Sequence, residues 1–184
     1  GGARRGGGRV PWRAGGAGGC APNRVSAGGR RSASTAGTKT GAVSCNGSGG
    51  NIEVTGQLLA EGSGAGTVGG TVAVTATGNV ALRSTAVINA SGKAGGGTVA
   101  VGTMADRTQT AANTRIASGA PIKADATDTG NVGQVTIWSA KATRMAGNIS
   151  AKGGPNGGNG GLVGAPWATR ERPALAFDHT GARL

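Results

Sequence analysis

Between residues 57 and 163 the chain repeats one pattern of apolar and polar positions. An apolar residue followed two places later by alanine recurs in four phrases, LLAEG at 58–62, VINASG at 87–92, PIKADA at 121–126 and NISAKGG at 148–154. After each comes a glycine-rich turn and a second phrase, GGTVAV at 69–74 and again at 96–101, GQVTIWS at 133–139 and GGLV at 160–163. The near-fixed spacing of the first phrase predicts a stack of similar coils, each burying its apolar face against its neighbours.

Each phrase has the alternation of a half-buried strand, with Val72 and Val74 separated by a small residue. A third strand-like phrase lies between the other two, as NVALRS at 79–84, TRIASG at 114–119 and TRMAG at 143–147. Three short strands per turn, joined by Gly, Asn and Asp corners, predict an all-β fold, a right-handed parallel β-helix. An antiparallel sandwich also has evenly spaced short strands, but it does not account for three phrases recurring in one order.

The repeat also predicts which residues stack inside the coils. We expect one interior column of Val72, Val99, Val135 and Val163, and a second of Leu58, Ile88, Ile122 and Ile149.

Composition and charge divide the chain into three parts. Of 184 residues 40 are Gly and only one is Phe, which is too glycine-rich and aromatic-poor for an ordinary globule. Residues 1–46 carry eight Lys or Arg and no acidic residue, whereas residues 47–166 carry eight basic and five acidic residues. We therefore expect a disordered Gly/Arg-rich segment at 1–49, the β-helix at 50–163 and an irregular tail at 164–184. No run of residues reaches membrane-spanning length, and we interpret the chain as a fragment of a longer protein.

Candidate chemistry is sparse. Cys20 and Cys45 are too few for a zinc site. We favour two incidental thiols over a disulfide, which would need an oxidising compartment. His179 is the only histidine and lies in the irregular tail. The GxGxxG spelling at 64–69 precedes a predicted strand rather than the helix that a dinucleotide site needs.

Three further positions have both a functional and a structural interpretation. Asp125, Asp128 and Asn131 could offer oxygen ligands to Ca²⁺, but we favour a solvated acidic corner. Trp138 could be an outward-facing contact residue, although stacking against the coil is favoured. Arg115 and Arg144 should point outward on one face. There they could meet anionic glycans or form a solvated face, and we favour the solvated face.

The repeat region resembles the filamentous haemagglutinin family, the surface exoproteins of two-partner secretion systems in Gram-negative bacteria. The resemblance rests on GGGTVAVG at 95–102, the stretch from ADATDTG to AKGG at 124–154, and PNGGNGGLV at 155–163. It covers about residues 50–163 and implies a right-handed β-helix, export through a partner outer-membrane barrel, and adhesion to cell-surface receptors or glycans. The Asn-Pro-Asn motifs of the family's secretion domain are absent from this chain.

We therefore expect a structural or adhesive segment of a secreted bacterial surface protein, with no catalytic, cofactor-binding or metal-ligating residues. The alternative is an Arg/Gly-rich polypeptide that binds nucleic acid by neutralising phosphates through residues 1–46. That segment contains Trp12 but no repeated aromatic residues for base stacking.

Overall fold

The computed structural model describes residues 17–20, 25–27, 30–32, 41–47, 50–104, 108–159 and 163–164. All regular structure in these residues is β-strand. The strands are β1 (Ala17–Cys20), β2 (Val25–Ala27), β3 (Arg30–Ser32), β4 (Ala42–Gly47), β5 (Ile52–Val54), β6 (Gln57–Leu59), β7 (Thr71–Ala76), β8 (Asn79–Leu82), β9 (Val87–Asn89), β10 (Thr98–Val101), β11 (Asn113–Ile116), β12 (Pro121–Lys123), β13 (Gln134–Ile137), β14 (Ala142–Met145), β15 (Asn148–Ser150) and β16 (Val163–Gly164).

Each strand pairs in parallel with the strand three places along the chain, so the described residues form three parallel sheets. Sheet A has the order β1-β4-β7-β10-β13-β16, sheet B the order β14-β11-β8-β5-β2, and sheet C the order β15-β12-β9-β6-β3. One strand from each sheet makes a coil, and successive coils stack along the axis. The parallel β-helix predicted from the repeat is confirmed.

Both predicted interior columns are present. Val72, Val99 and Val135 are in register and fully buried, and Val163 packs partly buried at the end of the same column. The second column joins Leu58, Ile88, Ile122 and Ile149 through the parallel register of sheet C. Stacking places like side chains in contact along the axis, so each coil covers the apolar face of the one before it.

Glycines at the corner before sheet A allow the coils to approach closely. A Cβ placed on Gly97 would lie 2.0 Å from the carbonyl oxygen of Gly70, and one on Gly133 would lie 1.9 Å from that of Gly97. No side chain fits at that separation. The recurring glycine before the second phrase is therefore required by backbone packing between coils.

The N-terminal segment differs from the sequence-based expectation. Four strands, β1 to β4, lie within the stretch expected to be disordered, and they pair with one another or with β5, β6 and β7. Val43 and Cys45 are buried. Parallel pairing uses backbone groups, so these strands form without the regular apolar pattern of the later repeats. Residues 1–16 and 165–184, in the expected disordered arm and irregular tail, lie outside the described residues.

The interpretation of the cysteines as incidental thiols is also corrected. Cys45 is disulfide-bonded, and no cysteine in the described part of the chain is a free thiol. Cys20 of β1 and Cys45 of β4 are register partners in sheet A. The two positions therefore lie on neighbouring coils.

Candidate functional site

Sheet B presents one line of residues on its outer face. Parallel pairing stacks Glu53, Ala81, Arg115 and Arg144 on successive coils. Alternation in β11 shows why this line faces outward, since Thr114 and Ile116 are buried and Arg115 between them is exposed. We call these four positions the outer line of sheet B.

Arg115 and Arg144 are the exposed cations of this line. They are in direct register between β11 and β14, so their backbones are about 4.8 Å apart. Within the described part of the chain neither side chain has a recorded hydrogen bond or ion pair. Two neighbouring guanidinium groups create a local positive potential, and their planar donor forks suit carboxylate, sulfate or phosphate oxygens. The prediction that both arginines point outward on one face is confirmed.

The carboxylate at the other end of the line is already paired. The Arg83 Nε donates a hydrogen bond of 2.8 Å to Glu53 Oε1, and both side chains are about half exposed. This hydrogen bond, aided by the charge of Arg83, lowers the pKa of Glu53. Glu53 is therefore already engaged by Arg83, two coils away from Arg115.

An asparagine ladder runs along the edge where these strands begin. Asn51 Oδ1 accepts hydrogen bonds from the backbone N–H of Asn79 at 2.7 Å and from Asn79 Nδ2 at 3.0 Å. Asn113 Nδ2 in turn donates to Asn79 Oδ1 at 2.7 Å. On the next coil the register partner is Ala142, which has no side-chain amide. The ladder therefore ties three coils together and ends there.

The three residues weighed as calcium ligands accept hydrogen bonds from the following coil. Asp125 Oδ1 accepts hydrogen bonds from Ser150 Oγ at 2.7 Å and from the backbone N–H of Lys152 at 2.8 Å. Asp128 Oδ1 accepts one from Asn156 Nδ2 at 2.7 Å, and Asn131 Oδ1 accepts one from the backbone N–H of Asn159 at 3.1 Å. The residues described contain no group of three His, Cys, Asp or Glu that could hold a metal ion. Asp128 and Asn131 are exposed, as expected for a solvated corner, and the hydrogen bonds of this corner also form a seam between two coils.

The other candidates from the sequence are the glycine-rich stretch at 64–69, Trp138 and His179. The glycine-rich stretch at 64–69 leads into strand β7, as its sequence context predicted. Trp138 is half-buried at the end of β13, where its backbone N–H donates to the Val101 carbonyl at 3.0 Å and its carbonyl accepts from Thr114 Oγ1 at 3.2 Å. His179 lies outside the described residues.

Two features of this surface were not found from the sequence. The asparagine ladder had a usable signal, because Asn51, Asn79 and Asn113 each stand just before or at the start of a sheet B strand. The Glu53–Arg83 pair had none, because Arg83 lies beyond the end of β8 and reaches back to the preceding coil.

Comparison with known proteins does not assign this chain to a family. A scan against protein-family models finds no match, and a search of curated proteins finds none either. Over the described residues there is no helix with the length and apolar character needed to cross a bilayer.

Proposed function

We propose that this chain is a non-catalytic display segment of a longer, secreted β-helical surface protein. The stacked geometry supports this proposal, because a parallel coil stack extends by repetition and presents its outer side chains in straight lines. The acidic side chains support it as well. Glu53, Asp125 and Asp128 each bond to a neighbouring coil, which is a structural use of a carboxylate.

The outer line of sheet B is the proposed adhesive surface. Arg115 and Arg144 are exposed, in register and without a recorded carboxylate partner among the described residues. Their partner is an anionic group, a sulfate or carboxylate, on a cell-surface glycan. This in-register arginine pair is the single observation that carries the adhesive proposal.

Location and export follow from the sequence resemblance to filamentous haemagglutinins. In this proposal the parent protein leaves a Gram-negative cell through a partner outer-membrane barrel and remains at the cell surface. The coil stack then spans distance from the cell, while its outer face meets receptors or glycans.

Retention on an immobilised sulfated polysaccharide tests the adhesive face. The double variant Arg115→Ala/Arg144→Ala should weaken binding about tenfold, since each exposed ion pair contributes about 0.2–1 kcal/mol. The matched control, Arg4→Ala/Arg5→Ala, removes the same charge from the N-terminal segment and should leave binding nearly unchanged. Both variants should keep the far-ultraviolet circular dichroism of the native chain.

The same pair of variants distinguishes the alternative function. If Arg4→Ala/Arg5→Ala weakens retention as much as the sheet B variant does, the surface line is not the binding site. Double-stranded DNA as a second immobilised probe then reports whether residues 1–46 bind phosphates, with a steep loss of binding as salt rises.

A further inference from the structure

We propose that a disulfide between Cys20 and Cys45 is an oxidation-dependent clamp that holds the first coil of the β-helix in place. The first coil comprises β1, β2 and β3. It pairs in parallel with the second coil, β4, β5 and β6, through all three sheets. This inference does not depend on the proposed adhesive function.

In sheet B the first coil has Val25 and Ala27 as register partners of buried Ile52 and Val54, but the interior columns of sheets A and C lack a large apolar residue at this level. Gly18 is the register partner of Val43, in the column that continues as Val72 and Val99. Arg31 is the register partner of buried Leu58, in the column that continues through isoleucines. Two columns that bind the later coils together therefore have glycine and arginine at this level. Burial of apolar area, the main force that stacks coils, is correspondingly small here.

The cysteines occupy a position where a covalent bond can replace that missing contact. Cys45 is disulfide-bonded, and the chain contains only one other cysteine, Cys20. The two are register partners in adjacent parallel strands. Neighbouring strands are about 4.8 Å apart, which is within the range of about 4.4–6.8 Å between Cα atoms that a disulfide requires.

Burial of Cys45 determines when the disulfide can form. Its side chain is fully buried, so an external oxidant reaches it only before the first coil docks or when that coil opens. A thiolate of one cysteine attacks an external disulfide, which forms a mixed disulfide and releases one thiol. The second thiolate then displaces the other thiol, so that two cysteines are oxidised and one external disulfide is reduced.

The experiment uses the full chain in a buffer containing oxidised glutathione as the disulfide oxidant. Thiols are alkylated under denaturing conditions, and linked peptides are identified by mass spectrometry. The matched control is Val43→Cys/Cys45→Ala, which moves the buried cysteine two residues along β4 to the register partner of Gly18. This shift separates it from Cys20 by about 8 Å, beyond the reach of a disulfide.

A second measurement follows the docking of the coil directly. Trypsin cleavage after Arg30 and Arg31 is timed in the oxidised chain, in the chain reduced after folding, and in Cys20→Ala. Reduction and Cys20→Ala should each accelerate cleavage about tenfold or more, because loss of the cross-link favours opening of the coil.

The expected result is a Cys20–Cys45 link in the native chain, little or none in the register-shifted control, and faster cleavage whenever the link is absent. Equal linkage in both chains would mean that Cys20 reaches the second cysteine at either position by random encounter, and this result would contradict a docked first coil. Unchanged cleavage after reduction would show that the first coil needs no clamp. Free thiols in the oxidised native chain would show that the bond does not form.

Discussion

Asn79 joins the coil before it through two hydrogen bonds to a single atom, Asn51 Oδ1, one from its backbone and one from its side chain. The same side chain accepts a bond from Asn113 of the coil after it. Asn79 is therefore the central member of the ladder, and its amide is the only one of the three that bonds in both directions among the described residues.

Replacing Asn79 by Ala should lower the free energy of unfolding by about 1–3 kcal/mol, because two side-chain hydrogen bonds are lost at about 0.5–1.5 kcal/mol each. Asn113→Ala removes only one and should cost about half as much. Conversely, Ala142→Asn should extend the ladder and raise stability slightly. Urea unfolding measures all three, and equal losses for Asn79→Ala and Asn113→Ala would contradict the ladder.

Shortening a side chain in a buried column should lower the free energy of unfolding far more than shortening the exposed side chain next to it in the strand. Ile122 is fully buried and in register with Ile88 and Ile149. Ile122→Ala should cost about 2–5 kcal/mol in thermal or urea unfolding because it leaves a cavity between two coils. The adjacent, exposed Lys123 is the control, and Lys123→Ala should change stability by less than about 0.5 kcal/mol. Similar effects at the two positions would mean that the strand is not oriented as described.

Glycine substitutions test the close approach of the coils. In Gly97→Ala the added methyl carbon would lie 2.0 Å from the carbonyl oxygen of Gly70, a backbone atom that cannot rotate away. We expect a loss of more than about 4 kcal/mol, or failure to fold. Gly50 has no atom within 4 Å of its built Cβ, so Gly50→Ala should change stability by less than about 1 kcal/mol. A stable Gly97→Ala chain with native circular dichroism would refute this packing.

The Glu53–Arg83 pair should give a stability contribution that depends on pH. The pKa of Glu53 is lowered below its ordinary value of 4.5 by the hydrogen bond from Arg83. A lowered carboxylate pKa stabilises the folded chain above pH 4.5, and this contribution disappears as the pH falls through the lowered value. The Tm of the native chain should therefore exceed that of Glu53→Gln at pH 7, and the difference should close in acid.

High salt should shrink the same difference in Tm, because both side chains are solvent-accessible. The control is Arg144→Gln, which removes a cation that has no recorded carboxylate partner in the described region. Its Tm difference from the native chain should not close over this acid range. A Glu53→Gln difference that persists at low pH would exclude the ion pair as its cause.

The interior of the fold was predictable because burial imposes a repeating choice of residue. Val72, Val99 and Val135 face the same surroundings on successive coils, so they are the same residue type although the loops between them differ in length. The outward direction of Arg115 and Arg144 followed from strand alternation alone. These features depend on period and alternation, which a single sequence displays directly.

Features that depend on contact between coils were harder to predict. The strands of the first coil were not predicted from the sequence. Gly18 stands where later coils have Val, and Arg31 stands where later coils have Leu or Ile. The relation between Cys20 and Cys45 was missed although their spacing along the chain is close to that between Val72 and Val99. The hydrogen bonds of the exposed acidic corner were not predicted, because the donors on the next coil, such as Asn156, come about one period later in the chain.

The two identical hexapeptides at 69–74 and 96–101 occupy equivalent places on adjacent coils, with Val72 opposite Val99 and Val74 opposite Val101. Recombination between the gene segments that encode them would excise a stretch as long as the step from Val72 to Val99, and so remove one coil. The new junction would keep the same hexapeptide, and the flanking coils would meet through the same sheets. Such a protein can change its length by whole coils during evolution without inventing a new interface.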